Sequence, residues 1–215
     1  MEINVLESIL NANSQVANDN RRLLKRYGVF CINLLASPGA GKTSFIVRLI
    51  RRFKGRLRIG VVEGDLASDV DTQTVAREGG PVLQINTGGG CHLNAPQLAD
   101  AFARLPLEKI DLLIIENVGN LVCTAGYDLG ENLRLVLASV PEGDDKPYKY
   151  PKMFHIADTI VVNKIDLMPY IEYDYENFVK AVRGINSETA LFPVSCKTDE
   201  GFDAVDDWLV ERLSE

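Results

Sequence analysis

The chain has 215 residues, 46% of them hydrophobic and 25% charged, and 23 Lys+Arg against 30 Asp+Glu give a net charge of −7. That length suits one α/β domain with its own core, the apolar fraction excludes a disordered chain, and the acidity argues against general nucleic-acid binding. No run approaches the ~18 apolar residues of a membrane span, and Met1-Glu2 is not a basic leader, so a cytoplasmic protein without a membrane partner is expected. Four cysteines in such a chain read as reduced thiols for metal or packing rather than as a disulfide framework.

In chain order, residues 3–27 repeat apolar side chains (Ile3, Leu6, Ile9, Leu10, Val16, Leu23, Leu24, Tyr27) at helical spacing, and Gly28 is the stop. Apolar runs follow at Val29–Leu35, Leu57–Val62, Val82–Ile85, Leu112–Ile115, Leu133–Val140, Thr159–Val162 and Ala190–Val194. Between most of them lie amphipathic stretches at Lys42–Phe53, Asp69–Arg77, Leu93–Arg104, Tyr170–Val182 and Phe202–Leu213. Strands of this kind alternating with helices predict one α/β domain over residues 1–215. Its central sheet would be mostly parallel, of about seven strands with helices on both faces, and residues 1–28 would pack on the core or precede it. Pro141–Lys152 reads as an exposed loop. In a parallel sheet the segments that leave the strand ends gather along one edge, where ligands bind.

Ala36-Ser37-Pro38-Gly39-Ala40-Gly41-Lys42-Thr43, between a strand and an amphipathic helix, has the pattern of a P-loop, with Ser44 next in the helix. Small residues such as Gly39, Ala40 and Gly41 let backbone N–H groups wrap phosphate oxygens, and the helix N-terminus adds positive charge. Lys42 would reach the β- and γ-phosphates and Thr43 would offer its hydroxyl to Mg²⁺. The general pattern begins with Gly; Ala36 fits if its φ is negative. The plainer alternative is a glycine-rich strand–helix turn. Two acids at strand ends are candidates for the Mg²⁺ side: Asp65, in Glu63-Gly64-Asp65-Leu66, as the preferred metal residue, and Glu116, to hold a metal-bound water or orient the attacking one. Either could instead be a solvated loop acid.

Asn163-Lys164-Ile165-Asp166 follows another strand. A carboxylate at Asp166 can accept both N–H donors of the guanine edge, which adenine lacks, so the expected nucleotide is GTP rather than ATP. Asn163 would brace this loop and the Lys164 stem would lie along the base. Ser195-Cys196-Lys197 follows the next strand and would add a backbone N–H and a second lysine stem. A small ATP-using kinase is the reading that Asp166 argues against.

Cys91 and His92 follow Gly88-Gly89-Gly90, and Cys123 lies seven residues after Glu116, so both segments are expected on the nucleotide edge. Two thiolates and an imidazole suit Zn²⁺ or Ni²⁺, one ligand short of a closed tetrahedral site; water or a second subunit would supply the rest. The alternative is that both cysteines are small buried hydrophobes. Cys31 reads as core and His155 as exposed. The basic clusters Arg48–Arg58 and Arg21–Arg26 read as solvated helix ends favoured by the helix dipole, or else as a docking face for an acidic protein. Lys146, in the long loop, is a candidate to reach a second subunit's nucleotide.

Taken together, Ser37–Thr43, Glu63-Gly64-Asp65-Leu66, Gly88–Leu93, Glu116-Asn117-Val118-Gly119-Asn120-Leu121-Val122-Cys123 and Asn163–Asp166 resemble the hydrogenase nickel-incorporation GTPases, the HypB family, from about Val29 to the C-terminus. The resemblance implies a P-loop GTPase of the dimerising class that includes signal-recognition and MinD-like proteins. It implies GTP hydrolysis with Mg²⁺, and a nickel or zinc site at Cys91, His92 and Cys123 on the subunit interface; with no obvious catalytic Gln and no assignable arginine finger in the sequence, intrinsic turnover should be slow. The implied partners are a second copy, a HypA-type metallochaperone and the hydrogenase large subunit. Pro96 stands where some members carry a further histidine, and residues 1–30 lack the cysteine motif or histidine-rich tract of many bacterial members. The urease accessory GTPases share the logic but use a Cys-Pro-His string absent from this sequence. A GTPase switch with a purely structural zinc is the remaining alternative.

Overall fold

The computed structural model describes residues 5–64 and 69–214. Its elements in chain order are α1 (Val5–Tyr27), β1 (Phe30–Ala36), α2 (Lys42–Arg52), β2 (Ile59–Glu63), α3 (Asp69–Arg77), β3 (Val82–Gln84), α4 (Ala95–Phe102), β4 (Leu112–Glu116), β5 (Leu133–Ser139), α5 (Lys146–Lys149), α6 (Pro151–His155), β6 (Thr159–Asn163), α7 (Tyr175–Ile185), β7 (Ala190–Pro193) and α8 (Phe202–Ser214). The seven strands form one sheet in the order β3-β2-β4-β1-β5-β6-β7, every neighbouring pair parallel.

Alternation along β1 explains the two layers. Ile32, Leu34 and Ala36 face a core shared with α2, α3 and α8, which includes Phe45, Leu49, Val75, Phe202 and Leu209. Cys31 and Leu35 belong to the opposite face, covered by Leu24 of α1, Leu98 and Phe102 of α4, Phe154 of α6 and Phe178 of α7. Cys31 is therefore core, and its thiol is pushed well above its usual range by burial, with Glu131 adding to the effect.

Several boundaries differ from the sequence pattern for local reasons. Helix α4 begins at Ala95, not Leu93, because Asn94 caps it: its side chain accepts from the Gln97 N–H while the Gln97 side chain accepts from the Asn94 N–H, with Pro96 in the first turn. Helix α7 begins at Tyr175 rather than Tyr170. Residues Ile165–Tyr170, which include Pro169, form a 3-10 turn, and the Asp174 side chain caps the helix by accepting from the Asn177 N–H. The stretch expected as an exposed loop, Pro141–Lys152, instead contains α5 and the start of α6; within it Pro147 is buried, and α6 goes on to bury Met153 and Phe154 just beyond it. His155 is exposed, as expected, but ends α6.

Helix α1 docks partly through polar groups. Asn13 and Asn20, 5% and 2% exposed, lie with Ala17 and Leu24 on its buried face. Asn13 donates to the Asp128 carbonyl and accepts from the Ala95 N–H, Asn20 donates to the carbonyls of Ala95 and Leu129, and Arg21 pairs with Asp128 at 2.8 Å. The surface receiving the helix includes the backbone of the loop at Asp128–Leu129 and of the first residue of α4, whose buried polar groups need such partners.

Candidate functional site

Because all strands are parallel, the segments after β1, β2, β4, β6 and β7 leave from the same edge. β1 ends at Ala36, fully buried in strand backbone, and among the described residues only Lys164 and Asp199 are non-glycines with positive φ, so Ala36 is accommodated without strain. Gly41 then caps α2 in the left-handed region at φ 101, ψ 34. A Cβ there would lie 2.6 Å from Asn163 Nδ2, so only glycine fits. Lys42 is 6% exposed at the first position of α2, whose first turn holds no acid. A helix N-terminus opened by a glycine loop is suited to bind phosphate. Gly39, at φ 78, and the buried Ala40 complete the loop, and Lys146 faces it within its own chain, with Nζ 3.5 Å from Ser37 Oγ and 3.5 Å from Glu142.

Asp65 lies outside the described residues. Glu116 does not: it is 4% exposed, and the Thr43 hydroxyl donates to its Oε1 at 3.4 Å. Its register partner on β2 is Glu63, 3% exposed, an acid passed over in favour of Asp65. Only the pairing of β2 with β4 reveals it. Thr43 and Glu116 form a hard oxygen donor set of the kind Mg²⁺ takes. A Cβ on Gly119 would stand 3.1 Å from the Pro38 backbone nitrogen and 3.3 Å from Lys42 Nζ, so the chain after β4 closes directly on the phosphate loop. Gly119→Ala is expected to weaken nucleotide binding about tenfold, the scale of a misplaced charged hydrogen-bond donor, with little change in apo melting temperature; equilibrium titration with a fluorescent GDP checks it.

Gly41, Ser44, Asn163, Lys164, Asp166, Leu167, Cys196 and Lys197 line a cleft of about 370 Å³ beside this loop. Asn163 ties its walls together: Nδ2 donates to the Ala40 carbonyl at 3.0 Å, and Oδ1 accepts the N–H of Lys164 at 2.8 Å and of Cys196 at 3.1 Å. Lys164 Nζ donates to the Gly39 carbonyl at 2.6 Å, which lays its stem across the cleft. Ser195 Oγ donates to Asp166 Oδ1 at 2.7 Å and accepts the N–H of Lys197 and Thr198, fixing the acid's direction. Burial pushes the Cys196 thiol up to about 12, so it lines the cleft as a neutral group.

Cys91 and Cys123, distant in sequence, come together. Hydrogen bonding with Cys91 pushes the Cys123 thiol above its ordinary range, and desolvation adds to the shift. His92 Nδ1 lies 3.5 Å from Cys91 Sγ, and its ring stacks on Tyr127 with centroids 3.8 Å apart and 19° between planes. Partial burial lowers the His92 pKa, which favours the neutral, ligating imidazole. Among the described residues, however, no three His, Cys, Asp or Glu side chains gather closely enough to hold a metal ion. The Asn120 side chain accepts the N–H of Val122 and Cys123, fixing the turn that presents the second thiol.

The residue joining the two halves is Asn117, directly after β4. Its Oδ1 accepts the N–H of Leu93, next to His92, and of Val118, while Nδ2 donates to Asn33 in β1 at 3.1 Å. Gly64, after β2, packs against Leu93 so closely that a Cβ would lie 2.4 Å from its side chain.

A parallel sheet with a P-loop at its edge, a cleft beside that loop and buried acids at the adjoining strand ends defines a nucleotide-binding protein of the P-loop class. Residues 30–193 match the CobW/HypB/UreG nucleotide-binding domain. The chain is 44% identical over 207 residues to hydrogenase maturation factor HypB of Rhizobium leguminosarum bv. viciae, covering 96% of this chain and 69% of that one. Among solved structures, HypB of Archaeoglobus fulgidus superposes with a TM-score of 0.90 at 38% identity, covering 95% of this chain and 100% of that one. HypB of Helicobacter pylori in complex with nickel does so with a TM-score of 0.90 at 35% identity, covering 94% and 95%. The chain belongs to the HypB family of the CobW/HypB/UreG group. No described helix is long and apolar enough to cross a membrane.

Proposed function

We propose that this chain is a GTP-hydrolysing switch that takes up nickel at Cys91, His92 and Cys123 and hands it on during maturation of [NiFe]-hydrogenase. The observation that carries the reading is the shared edge: Asn117 follows Glu116 directly and also holds the backbone beside His92. The names of the relatives, and the nickel bound by the Helicobacter pylori protein, support the cargo.

In this reading Lys42 and the loop N–H groups hold the β- and γ-phosphates, and Asp166, with the Ser195–Lys197 backbone, selects guanine. Thr43, Glu116 and Asp65 would hold Mg²⁺, which neutralises phosphate charge when bound. Gly119, beside Lys42 Nζ, makes the segment leading to Cys123 sensitive to whether a γ-phosphate is present. Cys91, His92 and Cys123 do not form a metal-sized cluster in one protomer, so nickel uptake in this reading requires their loops to draw together as a second copy meets them face to face and supplies the remaining donors. Hydrolysis loosens the 117–123 segment and opens the site to transfer. A HypA-type metallochaperone and the hydrogenase large subunit are the partners in that transfer. Zn²⁺ suits the same donors and competes for them.

The test is a Ni²⁺ titration of the apo protein with GDP and with a non-hydrolysable GTP analogue, following mass by light scattering. The analogue is expected to double the mass and change nickel affinity. Equal mass and equal nickel affinity with both nucleotides would sink the switch, leaving a structural metal.

A further inference from the structure

Two arginines of the basic cluster on α2, Arg48 and Arg52, are not solvated side chains at a helix end. Arg48 and Arg52, one turn apart, both reach Asp199 in the segment that follows the base loop, with Arg52 Nη1 at 2.7 Å and Arg48 Nη1 at 3.4 Å. Arg48 Nη2 also donates to the Cys196 carbonyl at 2.5 Å. Arg52 further pairs with Asp206, at 2.7 Å, and with Asp203, which anchors it to α8. Asp199 itself has φ 72, a left-handed conformation that costs a non-glycine residue energy and persists only where its surroundings hold it. Its N–H donates to the Ser195 carbonyl at 2.9 Å, and the Ser195 N–H donates to the Glu200 carbonyl at 3.0 Å, closing residues 195–200 into a compact turn.

From this geometry we infer that Arg48 is a positioning residue for base recognition: acting on Cys196 and Asp199, it holds the turn whose Ser195 hydroxyl aims the Asp166 carboxylate. Each link is direct. Arg48 fixes the Cys196–Lys197 peptide, the Lys197 and Thr198 N–H groups hold Ser195 Oγ, and Ser195 Oγ donates to Asp166. The same helix presents Lys42 and Thr43 at its other end, so one rigid element registers the phosphate readers against the base reader. Arg suits the position because its planar fork can serve a carbonyl and a carboxylate together, which an ammonium cannot do in the same geometry.

The inference rests on the guanine reading of Asp166, and one experiment separates the two. Affinities for GDP and ADP are measured for the wild-type chain, Arg48→Met and Asp199→Asn. The wild type is expected to prefer GDP strongly. Arg48→Met should bind GDP about tenfold more weakly and release it faster, as expected for losing one charge-assisted hydrogen bond, with ADP affinity unchanged. Asp199→Asn, which keeps the Arg48 bond to the Cys196 carbonyl but removes the carboxylate that Arg48 shares with Arg52, should lose about threefold for GDP only. A wild type that does not prefer GDP overturns the guanine reading and this inference with it. A guanine-selective wild type whose two variants keep its GDP-to-ADP ratio overturns the positioning role alone. Should Arg48→Met fail to fold, Asp199→Asn carries the test.

Discussion

Asp166→Asn is expected to lower GTP affinity by roughly 10²–10⁴-fold, because two hydrogen bonds to a carboxylate, each worth about 1.5–3 kcal/mol, are lost together. The carboxylate is held by Ser195 Oγ at 2.7 Å within the cleft bounded by Gly41, Lys164 and Cys196. Guanine presents two N–H donors there. An asparagine that keeps its oxygen toward Ser195 turns its own NH₂ toward the base, so donor meets donor. Xanthine carries an oxygen where guanine carries its 2-amino group, so the variant should gain affinity for xanthosine nucleotides as it loses it for GTP. Competition binding with GDP and xanthosine diphosphate measures both. Unchanged GDP affinity would remove Asp166 from base reading. Substitution is nearly isosteric, so the apo melting temperature should stay near that of the parent.

Cys91→Ala and Cys123→Ala should each weaken nickel binding by at least ~100-fold, since losing even an outer partner of a metal ligand costs 10–100-fold. GTP affinity should stay within about threefold, because the nearest link between the sites runs through the Asn117 side chain and backbone and not through either sulfur. Nickel binding followed by the thiolate charge-transfer absorption, beside a GDP titration of the same variants, tests this separation. Equal loss of nickel and of nucleotide would mean the thiols support the nucleotide loops themselves. Nickel binding that survives both substitutions would move the metal elsewhere.

The glycine loop of 36–43 and the Asn163–Asp166 string were legible as segments because each is short and contiguous, with its marker residues at fixed spacing. Gly41 in the left-handed region, Lys42 at the start of α2 and Asn163 at the end of β6 stand where the pattern puts them. The same holds for the strands, whose apolar runs reflect burial on both faces. Element ends were less legible, since Asn94 and Asp174 cap helices later than the apolar periodicity begins. The burial of Glu63 is not legible in sequence, because an acid at a strand end carries no mark of what its neighbouring strand will place beside it. Arg48 was hidden by a sound local argument, since cations near a helix C-terminus need no further explanation until Asp199 and Cys196 are seen beside them.

Sequence by itself determined the sheet class and marked the glycine loop of 36–43 and the Asn163–Asp166 string as segments, because those depend on residues close together in the chain. The meeting of the two thiols, the Asn117 bridge, the polar docking of α1 and the arginine brace were decided by tertiary structure. Each joins segments far apart in the chain, and what brings them together is the pairing order β3-β2-β4-β1-β5-β6-β7. That order is set by burying both faces of the sheet at once, a property of the assembled chain that no single segment carries.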